Sequence, residues 1–292
     1  MQLKSILCPI DFSEFSVAAY QYALSVVEHY KARIVALHVV ELWKYPFADY
    51  GALEVDYANF CSAINEGGDL KLRRFLKEHS CGVLQPELVH QGNAPNCILS
   101  FAEKENMEVI VMGTHGRRGF DRLVLGSTTD QVMRKATCPV LVTSNASHKA
   151  LVTGPDGRHH LSPILYCTDF SNNSERARGY AISLAAEYNA ELILLHVAED
   201  ASDLPGAEAM AAERKRELDK LISATEDKNV KVRSAVRVGK PYEEIVRYAT
   251  EARASLIVMT ARGGDAVDRA VFGSTTYRVI QLRPCPVLAI HT

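Results

Sequence analysis

A chain of 292 residues carries 33 Lys+Arg against 35 Asp+Glu, a formal charge of −2 and a pI near 6.6. The positive charge is spread among acids, which excludes the basic footprint of a nucleic-acid binder. No run of about 18 apolar residues exists to cross a membrane. Seven cysteines without a Cys-x-x-Cys pair point away from a disulfide framework or zinc site and toward small core residues in a reducing, cytoplasmic compartment.

Residues 5–10 read as a buried strand ending at Asp11-Phe12-Ser13. Ser16 is the expected N-cap of a helix over 17–29, and 33–39 is a second strand. Residues 41–65 are aromatic-rich (Trp43, Tyr45, Phe47, Tyr50, Tyr57, Phe60) and read as irregular, suited to interface or lid packing more than base stacking. A helix over 68–78 and a third strand over 85–90 follow. Gly92-Asn93-Ala94-Pro95 then opens a helix that runs through 105. Residues 109–112 form a fourth apolar strand, after which come Gly113-Thr114-His115-Gly116 and, past nine intervening residues, Gly126-Ser127-Thr128-Thr129. A short helix and a last strand over 138–142 complete a β-α-β-α-β-α-β-α-β run.

Most of this is written twice. At an offset of 158, Ile6 through Ser13 becomes Ile164 through Ser171, Ser16 becomes Ser174, and Leu37-His38-Val39 becomes Leu195-His196-Val197. Beyond Gly92, which matches Gly239, the offset is 147, so the first copy carries 11 extra residues in its aromatic segment. Gly126-Ser127-Thr128-Thr129 recurs as Gly273-Ser274-Thr275-Thr276, and Cys138-Pro139-Val140-Leu141 as Cys285-Pro286-Val287-Leu288. A tandem duplication follows, with domains over 1–146 and 162–292 and a linker over 147–161. Alternating strands and helices imply an α/β fold, two doubly wound five-stranded parallel sheets in the order 3-2-1-4-5.

In such sheets ligands bind outside the carboxyl ends of the strands, where the strand order reverses. That edge brings Asp11 beside the glycine loop. Glycines let a backbone approach an anion, amides at a helix start point outward, and Ser/Thr hydroxyls add donors. A carboxylate that accepts from ribose hydroxyls, facing a phosphate loop, describes a nucleotide site. Asp11 and Asp169 also suit the capping of the helices that follow them. His38 and His196, at matching strand ends, read as packed, hydrogen-bonded histidines rather than ligands. Arg117 and Arg118 could meet phosphates. Arg122 recurs as Arg269 beside an aspartate and suits an ion pair equally well.

The pattern Gly113-x-x-Gly116-x9-Gly126-Ser127, with Asp11 after the first strand and Cys-Pro-Val-Leu at the end, resembles the universal stress protein family. The resemblance covers both halves and is closest to tandem two-domain members. It implies an ATP-binding type of site in which Pro9, Ile10, Asp11 and Val39 frame adenine and ribose. Met112, Gly113, His115 and Gly116 would follow the ribose and α-phosphate. Gly126, Ser127, Thr128 and Thr129 would hold the outer phosphates, with Mg or Mn on ATP, ADP or AMP. The corresponding second-site candidates are Thr168, Asp169, Val197, Met259, Arg262, Gly263, Gly273, Ser274, Thr275 and Thr276.

Gly113 is matched by Thr260. If that position needs a positive φ or a very close backbone approach, a β-branched residue costs about 1–2 kcal/mol or blocks the ligand, and the second site is the weaker one. The family likeness further implies pairing of the two halves through their last strands, a homodimer, and a protein partner for a stress-response regulator. Nothing resembles a nucleophile–base pair or a Gly-x-Ser-x-Gly elbow, so slow hydrolysis fits better than a dedicated ATPase. The alternative is a nucleotide-independent interaction scaffold of the same family.

Overall fold

The computed structural model describes residues 3–42, 57–79, 87–114, 125–143, 152–153, 159–199, 207–223, 230–262 and 272–291. The first half comprises β1 (Ser5–Pro9), α1 (Glu14–Tyr30), β2 (Arg33–Val40), α2 (Tyr57–His79), β3 (Glu87–Gln91), α3 (Ala94–Lys104), β4 (Val109–Gly113), α4 (Ser127–Lys135) and β5 (Val140–Thr143). Within the bridge, β6 (Val152–Thr153) and β7 (His159–His160) pair antiparallel. The second half comprises β8 (Ile164–Cys167), α5 (Asn172–Glu187), β9 (Leu192–Ala198), α6 (Ala207–Ser223), β10 (Val232–Val238), α7 (Pro241–Glu251), β11 (Leu256–Thr260), α8 (Ser274–Leu282) and β12 (Val287–Ile290).

The ten long strands form one sheet in the order β10-β9-β8-β11-β12-β5-β4-β1-β2-β3. Each half is parallel in the expected order. The halves meet where β12 pairs antiparallel with β5, Leu288 opposite Leu141. Two apolar edge strands thus cover each other. Because the pairing is antiparallel, the carboxyl edge of one half lies at the amino edge of the other.

Alternation along the strands divides the core into two layers. Ile6 and Cys8 of β1 join α1, α2, α5 and α6 on one face of the sheet. Leu7 joins α3, α4, α7 and α8 on the other. Each layer runs through both halves without a break. The free cysteines Cys8, Cys167 and Cys285 are buried among these strands. Burial pushes the Cys285 thiol up to about 12 and those of Cys8 and Cys167 further.

Two elements differ from expectation. Helix α1 begins at Glu14, and its N-cap is Ser13, whose hydroxyl accepts from the Ser16 N–H. Ser16 lies in the first turn and donates its own hydroxyl to the Ser13 carbonyl at 2.9 Å. The second copy repeats this with Ser171 and Ser174. Helix α2 begins at Tyr57, well before residue 68, so the end of the stretch read as irregular is helical. Gly67-Gly68 depresses the local propensity, but Gly68 is where the helix lies on the sheet: a Cβ there would meet Val40 Cγ2 at 3.0 Å. Packing therefore overrides propensity. The third strand is described from Glu87, and residues 85 and 86 of its expected span lie outside the described residues. Trp43, Tyr45, Phe47 and Tyr50 lie outside the described residues.

Candidate functional site

The carboxyl ends of β1, β2 and β4 converge. The Ile10 N–H continues the β1–β2 ladder by donating to the Leu37 carbonyl at 2.8 Å. The His38 Nδ1–H donates to the Ile10 carbonyl at 2.7 Å. In the second half the Thr168 N–H bonds the Leu195 carbonyl at 3.0 Å, and the His196 Nδ1–H bonds the Thr168 carbonyl at 2.9 Å. Both histidines are thus pins between neighbouring strand ends, as packed histidines should be. The rings of Phe12 and Phe170 lie tilted against them, centroids 4.5 and 4.6 Å apart. Both phenylalanines hold a left-handed backbone, φ 66° and 61°, a strained state of the kind that collects at working sites.

That strain turns the chain so that the preceding aspartate supports the helix start. Asp11 Oδ1 accepts from the Ser13 N–H at 3.0 Å and the Ser13 hydroxyl at 2.6 Å. Asp169 repeats both distances with Ser171. The cap itself is the serine, and the aspartate holds the cap. A carboxylate offers about four lone-pair positions, so this duty leaves it able to accept from further donors.

Helices α4 and α8 start differently. Gly126 and Gly273 are their N-caps, and neither makes a side-chain cap bond. Their N–H groups tie back to the sheet instead, Gly126 to the Thr114 carbonyl at 2.8 Å and Gly273 to the Ala261 carbonyl at 2.9 Å. The Thr129 hydroxyl donates to the Gly113 carbonyl at 2.9 Å, and that of Thr276 to the Thr260 carbonyl at 2.7 Å. These two threonines are buried and spend their hydroxyls on the strand end. What they offer outward is the first turn of amides, which has no partner within the helix.

In the second half these parts enclose a cleft of about 540 Å³. At the strand ends it is lined by Thr168, Asp169, Val197 and Met259, and at the start of α8 by Gly273, Ser274, Thr275 and Thr276. Eight of the ten sequence candidates therefore meet around one space. Thr168 frames the cleft while its hydroxyl accepts from the Phe170 N–H at 3.0 Å and shares a bond with Ser174 Oγ. Arg262 is not among the lining residues; its charge acts on His291, disfavouring protonation there. Gly263 lies outside the described residues, as do His115, Gly116, Arg117, Arg118, Arg122 and Arg269. In the first half Pro9, Ile10, Asp11, Val39, Met112, Gly113, Gly126, Ser127, Thr128 and Thr129 occupy the matching strand ends and helix start.

The residue at the Gly113 position needs no unusual backbone. Neither Gly113 nor Thr260 has a positive φ, so the expected strain at Thr260 is absent. The close approach is real but comes from within the fold: a Cβ at 113 would stand 2.8 Å from both the Cβ and the carbonyl oxygen of Phe15. At the Phe15 position the second half has Asn173. Thr260 is accommodated there, 7% exposed, and its side lines the cleft.

Sequence reading missed Glu199, Met210 and Arg214, which also line the cleft. Arg214 pairs with Glu217 at 2.7 Å and lies 5.6 Å over the Phe170 ring. The signal was available, since Met210 and Arg214 stand four apart on one face of α6.

The model of the universal stress protein family matches residues 2–144 and 160–291. A universal stress protein of Mycolicibacterium smegmatis is 26% identical over 305 aligned positions, covering 98% of this chain and 96% of that protein. One from Methanocaldococcus jannaschii is 34% identical over 140 residues, 48% of this chain and 81% of that protein. A crystal structure of a universal stress protein from Archaeoglobus fulgidus superposes with a TM-score of 0.76 at 24% identity, covering 100% of this chain and 99% of that one. The family model thus accounts for both halves and the fold comparison for their arrangement: the chain belongs to the universal stress protein family.

Proposed function

We propose that this chain binds an adenine nucleotide, ATP or its ADP or AMP forms, and serves as a stress-response regulator whose occupancy alters its contacts with a protein partner. One observation carries the reading: the cleft of the second half has an aspartate-braced turn at one end and an open helix start at the other. Its volume lies within the range of about 300–1,000 Å³ usual for small-molecule sites. Asp169 would accept from ribose hydroxyls, as Asp11 would in the first half. The amides of Ser274–Thr276 and Ser127–Thr129 would receive phosphate oxygens, where the helix dipole favours negative charge.

Mg²⁺ or Mn²⁺ would ride on the phosphates, because such ions keep several waters and need few protein oxygens. The chain's part is then to bind and orient the nucleotide. Slow hydrolysis is compatible with that. The proposal includes a cytoplasmic location and a homodimer. Among the described residues no helix is long and apolar enough to cross a membrane. The homodimer would use a surface other than β5 and β12, which already pair with each other.

The test is calorimetric titration with MgATP of the full chain and of Ser127→Glu and Ser274→Glu. A glutamate in the first turn suits the helix dipole, so both variants should fold while repelling phosphate. Each substitution is expected to remove one binding event. Binding unchanged in both variants would overturn the site, and its absence in the unaltered chain would favour the nucleotide-independent scaffold.

A further inference from the structure

The two halves differ at a pair of residues that spans them. Thr114 directly follows β4 and is 1% exposed. Its N–H donates to the Thr143 carbonyl at 3.0 Å, and its own carbonyl accepts from the Gly126 N–H. Its Oγ1 accepts from Arg283 Nη1 at 3.2 Å. Arg283 belongs to the other half, as the C-cap of α8 with a left-handed backbone, φ 52° and ψ 53°.

The repeat places Ala261 where the first half has Thr114, and Ala136, the C-cap of α4, where the second has Arg283. The backbone bonds survive this exchange. The Ala261 N–H donates to the Ile290 carbonyl at 2.8 Å, and the Ala261 carbonyl still accepts from Gly273. Hydroxyl and guanidinium are thus both present on one side of the pseudo-twofold and both missing on the other. The fold explains how the contact arises. Antiparallel pairing of β5 with β12 puts the carboxyl edge of the first half beside the amino edge of the second, which is where α8 ends. The same helix starts at Ser274, on the second cleft, about 13 Å away along its nine residues.

We propose that Arg283 is a positioning residue for the nucleotide site of the first half. It holds Thr114 from across the domain boundary and thereby fixes Gly126 and the open first turn of α4. This rests on reading that turn as the phosphate end of a nucleotide site. An anion gains most from amides already aimed at it, and Gly126 has no side-chain cap to aim them. Two more contacts from the second half grip the far end of α4. His291 Nε2–H donates to the Met133 carbonyl at 2.8 Å, and Arg134 lies 5.7 Å over the Tyr277 ring. The Arg283–Thr114 bond acts at the ligand end.

Arg283→Ala, Thr114→Ala, their double variant and Arg283→Lys in the full chain provide the test. Amide hydrogen exchange without nucleotide reads the bonded N–H of Gly126 against that of Gly273. MgATP dissociation constants are read for the first site in a Ser274→Glu background and for the second in a Ser127→Glu background. Each alanine variant should speed exchange at Gly126 and weaken the first site about tenfold, with no further loss in the double variant. Exchange at Gly273 and the second site should not change, and lysine should restore part of the loss by donating one bond. Unchanged exchange at Gly126 in Arg283→Ala would overturn the proposal, as would equal weakening of both sites. A chain that binds no MgATP in either background overturns the nucleotide reading, while the exchange comparison still decides the role of Arg283.

Discussion

Replacing Gly113 by alanine sets two opposed effects against each other at the end of β4. Since Gly113 has no positive φ, alanine's smaller unfolded-state freedom alone would stabilise the fold by about 0.4–1 kcal/mol. Against this, the new Cβ would stand 2.8 Å from Phe15 Cβ, 2.8 Å from its carbonyl oxygen and 2.9 Å from its carbonyl carbon. None of these atoms can swing away as the tip of a flexible side chain would. Either β4 or the first turn of α1 must move by several tenths of an ångström, and overpacking of this kind costs about 1–3 kcal/mol. The expected net loss is about 1–2 kcal/mol, seen as a drop of about 2–8 °C in the thermal midpoint. Thermal unfolding followed by circular dichroism reads it, with Phe15→Ala in the same background as control. That control should not rescue the fold, because every overlapping atom remains in alanine. A midpoint at or above that of the unaltered chain, or recovery with Phe15→Ala, would refute this reasoning.

Ser13→Ala and Ser171→Ala should each cost about 1 kcal/mol by removing an N-cap, measured as shifts in the urea midpoint; no shift would mean that the aspartates cap without them. Burial holds His196 and His291 below the ordinary histidine value. Arg214, Glu217 and Asp169 surround the first and Arg262 stands near the second. Above about pH 6.5 their contribution to stability is complete. As pH falls through that value toward the lowered folded ones, the unfolded chain takes up protons that the native chain refuses, so stability declines. Urea midpoints between pH 8 and 5.5 should show this fall, less steep in His291→Asn; equal steepness would remove His291 from the account. At pH 8 a thiol reagent should leave Cys8, Cys167 and Cys285 unmodified until denaturant is added, because burial keeps all three protonated; mass spectrometry of the labelled native chain decides.

The repeat made the topology legible. Once Ile6-Leu7-Cys8 was matched to Ile164-Leu165-Tyr166 and the β-α alternation counted, the parallel order followed from general rules of α/β folds, and the joined last strands from the family likeness. The strand-end candidates were legible for the same reason, since Asp169, Met259 and Ser274 fall on one sheet edge whatever the side-chain detail. Local starts were harder. Ser13 and Ser16 are equally good caps by type, and only the turn forced by Phe12 chooses between them. Gly67-Gly68 reads as a break in a helix until Val40 is seen beneath it. Contacts across the halves left no local trace at all: nothing near Thr114 points to a partner at Arg283, and nothing near Met133 points to His291.

The nucleotide reading is tested most directly by denaturing the purified chain, identifying and counting any nucleotide released, and then titrating the refolded or nucleotide-stripped chain with MgATP. At least one adenine nucleotide per chain, carried from the cell or taken up from MgATP, is the expected result. No adenine nucleotide released and no heat of MgATP binding would contradict it.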